Sequence, residues 1–159
     1  HKLNQGITAT YEVFGYEKSG GYIQKGYDYG CNPGELNYAV FNLTYTAPDG
    51  NVYVFSHPQL VEYCRKKNIP MPDVYYYGKA KDLFPEIPTE QHWHENFLAK
   101  LEETYLEKKC HLCKSGVWGE GVIVRIDKPN EFKALKLKSK NFLSMETKEL
   151  DNGYVAIEN

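Results

Sequence analysis

Residues 38–46 form a run of apolar, aromatic and β-branched side chains. They are followed by Pro48-Asp49-Gly50 and by an alternating stretch at 51–55. Such a run, a turn tripeptide and a second alternating run predict an antiparallel hairpin, because Asp-Gly supplies the backbone that a tight reversal needs. A hairpin alone buries too little, so other elements must cover it. Residues 7–16 read as a further strand ending at Gly15. Ser19, Gly20 and Gly21 read as a turn, and Tyr22, Ile23 and Gln24 as the start of a return strand. The 14 tyrosines fit a β-rich chain, since aromatic side chains favour pleated, half-buried surfaces.

Helices are predicted between and after these strands. Ser56 is placed as an N-cap, with Leu60, Val61 and Cys64 on one face and Arg65-Lys66-Lys67 at the C-terminal end, closed by Pro70 and Pro72. A second helix opens at Thr89 with Glu90 in its first turn, and Phe97, Leu98, Leu101 and Tyr105 form its apolar stripe. Residues 121–126 are nearly all apolar, which predicts a strand buried on both sides. Residues 132–137 alternate with lysines, which predicts a strand with one wet face, and 139–149 are placed as a short helix. The class is therefore α+β: a twisted, mainly antiparallel sheet with flanking helices, read as one domain over residues 1–159.

Composition removes several function classes. The formal net charge of −2 gives no global basic field, so any nucleic-acid contact must come from a local patch. No apolar run approaches the length of a membrane span, and no signal-peptide pattern is present. A cytoplasmic setting with reduced thiols at Cys31, Cys64, Cys110 and Cys113 is expected. Cys110-His111-Leu112-Cys113 is a Cys-x₂-Cys pair, but structural zinc takes four ligands and there is no second such pair. His92 and His94 would complete a site only if the intervening helix folded back, so zinc is not expected.

Two adjoining segments carry most of the functional information. They are Trp118-Gly119-Glu120-Gly121-Val122-Ile123-Val124-Arg125 and Phe132-Lys133-Ala134-Leu135-Lys136-Leu137-Lys138-Ser139. An acidic-Gly-apolar strand, a turn, then Lys-x-Lys resembles motifs IV and V of the covalent nucleotidyltransferases, which include RNA ligases, DNA ligases and mRNA capping enzymes. The compact spacing and the continuation Lys136-Leu137-Lys138-Ser139-Lys140-Asn141-Phe142-Leu143 resemble RNA ligases most, notably those of phages and large viruses. Upstream, Tyr11-Glu12-Val13-Phe14-Gly15-Tyr16 resembles motif III, with Tyr11 where the family often has Gly. Tyr38-Ala39-Val40-Phe41-Asn42-Leu43 resembles motif IIIa, with Asn42 where the family often has Asp.

The resemblance implies the nucleotidyltransferase domain of ATP-grasp-like ligases and a three-step reaction. A lysine attacks the α-phosphate of ATP, the adenylyl group passes to a 5′-phosphate end, and a 3′-hydroxyl displaces AMP to seal RNA. It implies that Lys136 and Lys138 contact the α-phosphate, that Glu120 supports Mg²⁺, and that Glu12 faces the ribose or a metal-bound water. Phe41, or alternatively Tyr38, would stack on adenine. These side chains are expected to face one groove. A solvated strand face for the lysines and an exposed turn glutamate are the bland alternatives. The family's Lys-x-Asp-Gly nucleophile motif does not occur in these residues; Lys25-Gly26-Tyr27-Asp28 has the wrong spacing. The chain, opening at His1, is therefore expected to be the part of an enzyme that follows motif I. It is expected to be inactive in lysine adenylylation alone and to need the N-terminal segment of the same enzyme. A DNA ligase or capping-enzyme portion is the nearest alternative, although no appended OB-fold is legible from residue 140 on. A non-catalytic nucleic-acid-binding module with a Cys-x₂-Cys knuckle is the alternative outside enzymes.

Overall fold

The computed structural model describes residues 3–90 and 92–151. Within them the fold is α+β, with antiparallel strand pairing and four helices. The expected OB-fold-free tail runs partly outside this range, at residues 152–159. The expected single sheet is instead two ladders, one of three strands and one of two. Among the described residues no helix is long and apolar enough to cross a membrane.

The residues group into two compact units. The first holds the chain up to Val74, the segment Leu112–Ser115 and the segment Arg125–Ala134. Its sheet runs β1 (Ile7–Gly15), β2 (Leu36–Thr46), β3 (Val52–Val54), all antiparallel. Thr10 pairs with Asn42 but Tyr11 pairs with Val40, so Phe41 is an extra residue, a β-bulge in β2. The bulge resets the alternation of side chains. Val40 and Leu43, which strict alternation would put on opposite faces, both join one core with Leu60, Cys64 and Ile69. Tyr22 and Gln24 make only isolated bridges, to Tyr16 and Tyr27, so the predicted return strand does not form.

Helix α1 (His57–Lys67) covers that core. Gln59 Oε1 accepts from the Ser56 N–H at 2.9 Å and from its hydroxyl at 3.1 Å, which fixes the helix start. The end comes at Asn68, whose left-handed backbone (φ 53°) caps the helix before either proline is reached. Leu60 and Cys64 are buried as expected, but Val61 is exposed, because only the i, i+4 pair faces the sheet. Where β3 stops pairing, the Val40 N–H of β2 donates to the Pro70 carbonyl at 2.9 Å.

The second unit holds Tyr75–His111, Gly116–Val124 and the chain from Leu135 on. Its helices are α2 (Ala80–Leu83), α3 (Trp93–Tyr105) and α4 (Lys140–Asp151). Phe84, Phe97 and Leu101 form its core, with Trp93, Val124 and Leu137 packed against them. Helix α3 starts at Trp93 rather than at Thr89, because the left-handed backbone of His92 (φ 62°) blocks extension upstream. Strands β4 (Gly121–Lys128) and β5 (Glu131–Lys138) form a hairpin whose tip groups with the first unit and whose base groups with the second. β4 is not buried on both sides. Ile123 and Ile126 are exposed, and since they lie three residues apart, on opposite faces by alternation, neither face of the two-stranded ladder is fully covered. In β5, Leu137 packs in the core while Leu135 is exposed.

Candidate functional site

In the second unit a loop sets the approach to β4. Cys110 N–H donates to the Val117 carbonyl and Gly119 N–H to the Lys108 carbonyl, both at 2.8 Å. Lys109 lies over the Trp118 ring at 3.9 Å. This ladder delivers Glu120 to the mouth of β4, where its carbonyl accepts from Ser139 N–H at 2.8 Å. Glu120 and Gly121 thus lie against the end of β5, and the Glu120 carboxylate meets Lys136 Nζ at 3.5 Å. The Lys136 side chain is 52% exposed and that of Glu120 23%, so the ammonium group stays open to an incoming anion.

Lys138 leaves the same strand two residues on, but meets a different carboxylate. Its Nζ lies 3.4 Å from Glu146 of α4 and 5.4 Å from the Phe142 ring centroid. Ser139, fully buried, starts α4: its hydroxyl accepts from Phe142 N–H at 3.1 Å. Glu107 reaches the same helix end. Its carboxylate accepts from the Ser139 hydroxyl at 3.2 Å, from Lys140 N–H at 2.5 Å and from Asn141 N–H at 3.1 Å. Desolvation pushes its carboxyl up, but these donors outweigh that and hold it below the ordinary range. The result is a strand end that carries two lysines, Lys136 and Lys138, each beside a carboxylate, Glu120 and Glu146, with a third, Glu107, on the start of α4.

The other two candidates lie in the first unit, so the five expected site residues divide between units. Glu12 sits on β1 opposite Ala39 and is exposed. Alternation turns it away from the core face that Ile7 and Ala9 occupy. Phe41 is the bulged residue of β2 and is 40% exposed, whereas Tyr38 packs against the core and meets the Tyr11 ring edge-on at 5.8 Å. Beside Phe41, the Asn42 Oδ1 atom is buried with no hydrogen-bond partner.

The sequence reading gave Arg125 no role. Its side chain, 16% exposed, donates from Nε to Asp127 Oδ1 at 2.7 Å, from Nη1 to the Phe41 carbonyl at 3.1 Å and from Nη2 to the Phe55 carbonyl at 2.7 Å. Its guanidinium lies 4.1 Å from the Phe132 ring centroid. Asp127 Oδ2 in turn accepts from His57 N–H at 2.6 Å, at the start of α1. Burial pushes the Asp127 carboxyl up, yet the His57 N–H and the Arg125 guanidinium prevail and hold it below the ordinary range. Arg125 and Asp127, one residue apart on an otherwise apolar strand, were the available signal, since i and i+2 share a face.

Asp28 was also missed. It is 4% exposed and its carboxylate accepts from Gly30 N–H at 2.7 Å and from Lys114 N–H at 3.1 Å. Burial pushes its carboxyl up, but the backbone donors win and its pKa is lowered. Lys114 Nζ also reaches the Cys31 carbonyl at 3.3 Å, so the segment holding Cys113 is pinned to the Tyr27–Asn32 loop. All four cysteines are free thiols. Compared with protein-family models, with curated proteins and with solved structures, the chain matches none.

Proposed function

We propose that these residues form part of an ATP-dependent RNA ligase, supplying the nucleotide, metal and phosphate contacts of its adenylyltransferase domain. One observation carries the reading. An acidic residue followed by glycine opens one strand, and its carboxylate lies 3.5 Å from the first lysine of a Lys-x-Lys on the paired strand. The order of Glu12, Phe41, Glu120 and the two lysines along the chain supports it.

Phosphoryl transfer asks a protein mainly to position groups and to neutralise charge. Lys136 is the available cation, half exposed and held in place by a single carboxylate. Lys138 must exchange Glu146 for a phosphate oxygen, and the Phe142 ring steadies the ammonium near its present place. Glu120 offers a hard carboxylate oxygen, the donor type that Mg²⁺ takes beside its own waters and a substrate phosphate. When bound, that ion would neutralise charge on the transferring phosphate. Phe41 presents an exposed ring to which an adenine can stack. The lysine nucleophile is not found in a Lys-x-Asp-Gly here, so the reading requires that residues outside these 159 supply it.

The test is made in the enzyme that carries the nucleophile. Lys136→Ala and Lys138→Ala should each lower adenylylation by about 10²–10³-fold, the usual loss for one donor aimed at developing charge. The thermal melt of Lys136→Ala should stay near wild type, because the ion pair of a half-exposed lysine contributes little to stability, while Lys138→Ala, which leaves the partly covered Glu146 without this cation, should melt somewhat lower but still fold. Near-native rates in both variants would remove the main support for the ligase reading. The 159 residues alone, incubated with ATP and Mg²⁺, should show no added AMP by intact mass.

A further inference from the structure

Arg125 joins three things that the fold would otherwise leave loose. A β-bulge takes one residue out of the ladder, so the carbonyl of Phe41 needs a donor from elsewhere. Phe55 lies just past the end of β3, where its N–H still donates to the Leu43 carbonyl of β2 at 3.0 Å. The guanidinium serves both carbonyls and, through Asp127, ties them to the start of α1. Its plane is fixed by the Phe132 ring on one side and by three separate acceptors at its edge. A fork with five donors in fixed directions can do this, whereas a lysine ammonium cannot reach three acceptors set so far apart.

We propose that Arg125 is a positioning residue for nucleotide binding. By holding the bulged backbone at Phe41 it sets the direction in which that exposed ring meets an adenine. This rests on the ligase reading, in which Phe41 is the stacking residue. Arg125 itself touches no nucleotide; it acts through Phe41. Energetically, an exposed ring on a bulge has many orientations. Fixing its backbone removes entropy that binding would otherwise have to remove, so affinity rises without a new contact.

The experiment is a double-mutant cycle on the chain as it stands, with MgATP as the probe and amide chemical shifts as the readout. Phe41→Leu should weaken MgATP binding by about fivefold or more, the lower end of a lost base stack. Arg125→Lys, which keeps the charge beside Asp127, should weaken it by a factor no larger than that. In the Phe41→Leu background, Arg125→Lys should add no further loss, while its lowering of the melting temperature should remain. A purely structural Arg125 would show the melting change with no selective loss of MgATP affinity. Losses that multiply, or an unchanged affinity in Arg125→Lys, would overturn the inference and leave the ligase reading standing. No effect of Phe41→Leu on a chain that binds MgATP, or no MgATP binding by the unaltered chain, would overturn the inference; the ligase reading is tested separately by the Lys136→Ala and Lys138→Ala rates in the enzyme that carries the nucleophile.

Discussion

Replacing Gly121 with alanine tests the geometry of the strand pair that carries Glu120 and Lys136. Gly121 has φ 144°, a backbone conformation that residues with a side chain rarely adopt. A Cβ built there would collide with the Leu137 carbonyl oxygen and stand 2.9 Å from both the Leu137 carbonyl carbon and the Lys138 Cα. These are backbone atoms of the paired strand, so no rotamer change relieves the clash. Backbone strain alone costs about 1–3 kcal/mol. Separating the strand ends also breaks the Ser139 N–H bond to the Glu120 carbonyl, 2.8 Å long, beside a fully buried Ser139. Losing such a buried bond costs about 1–3 kcal/mol. Together these give a loss of about 2–6 kcal/mol, or about 4–24 °C in melting temperature for a chain of this size. Gly116 is the control. It has φ 65° with nothing within 4 Å of its Cβ position, so Gly116→Ala should cost only about 1–2 kcal/mol. Urea unfolding of both variants beside wild type gives the comparison. If Gly121→Ala and Gly116→Ala differ by less than about 1 kcal/mol, the close approach of β4 to β5 is not as described and the Glu120–Lys136 pairing loses its basis.

Asp28→Ala should destabilise the chain by about 2–4 kcal/mol in urea, since the Gly30 and Lys114 N–H groups lose a buried acceptor. A change below about 0.5 kcal/mol would mean that water replaces the carboxylate. Acid sensitivity follows from two lowered carboxyl pKa values, at Asp28 and Asp127. Both groups bind fewer protons folded than unfolded, so their stabilisation is complete above the unfolded pKa of about 3.9 and is lost as pH falls through the lower folded values. Melting temperature followed through that window should drop more steeply for wild type than for Asp127→Asn; parallel curves would contradict the sign.

The hairpin at 38–55 and α1 were legible because their signals are local: alternation, a Pro-Asp-Gly turn and a serine cap lie within a few residues of what they control. The lysines of β5 were legible for the same reason. What the residues could not reveal is non-local. The bulge at Phe41 exists because Val40 and Leu43 must both face α1, and only the folded core decides that. Arg125 and Asp28 act on carbonyls and N–H groups 70 or more positions away in sequence. The start of α3 moved because one left-handed residue, His92, outweighed an N-terminal pattern at Thr89. β4 looked doubly buried because its side chains are apolar, but hydropathy cannot count the neighbours a strand will have.

One side chain in the β4–β5 turn has a further consequence. Asn130, with φ 56°, accepts from Val54 N–H at 2.8 Å through Oδ1 and donates from Nδ2 to the Val52 carbonyl at 3.2 Å. β3 is the outer strand of its sheet, and a bare strand edge is a template on which another molecule can lay a strand of its own. Asn130 occupies both the donor and the acceptor that such a strand would use, within an edge only three residues long. A single side-chain amide thus does for the edge of β3 what a further strand would do, satisfying its outward N–H and carbonyl from within the same chain.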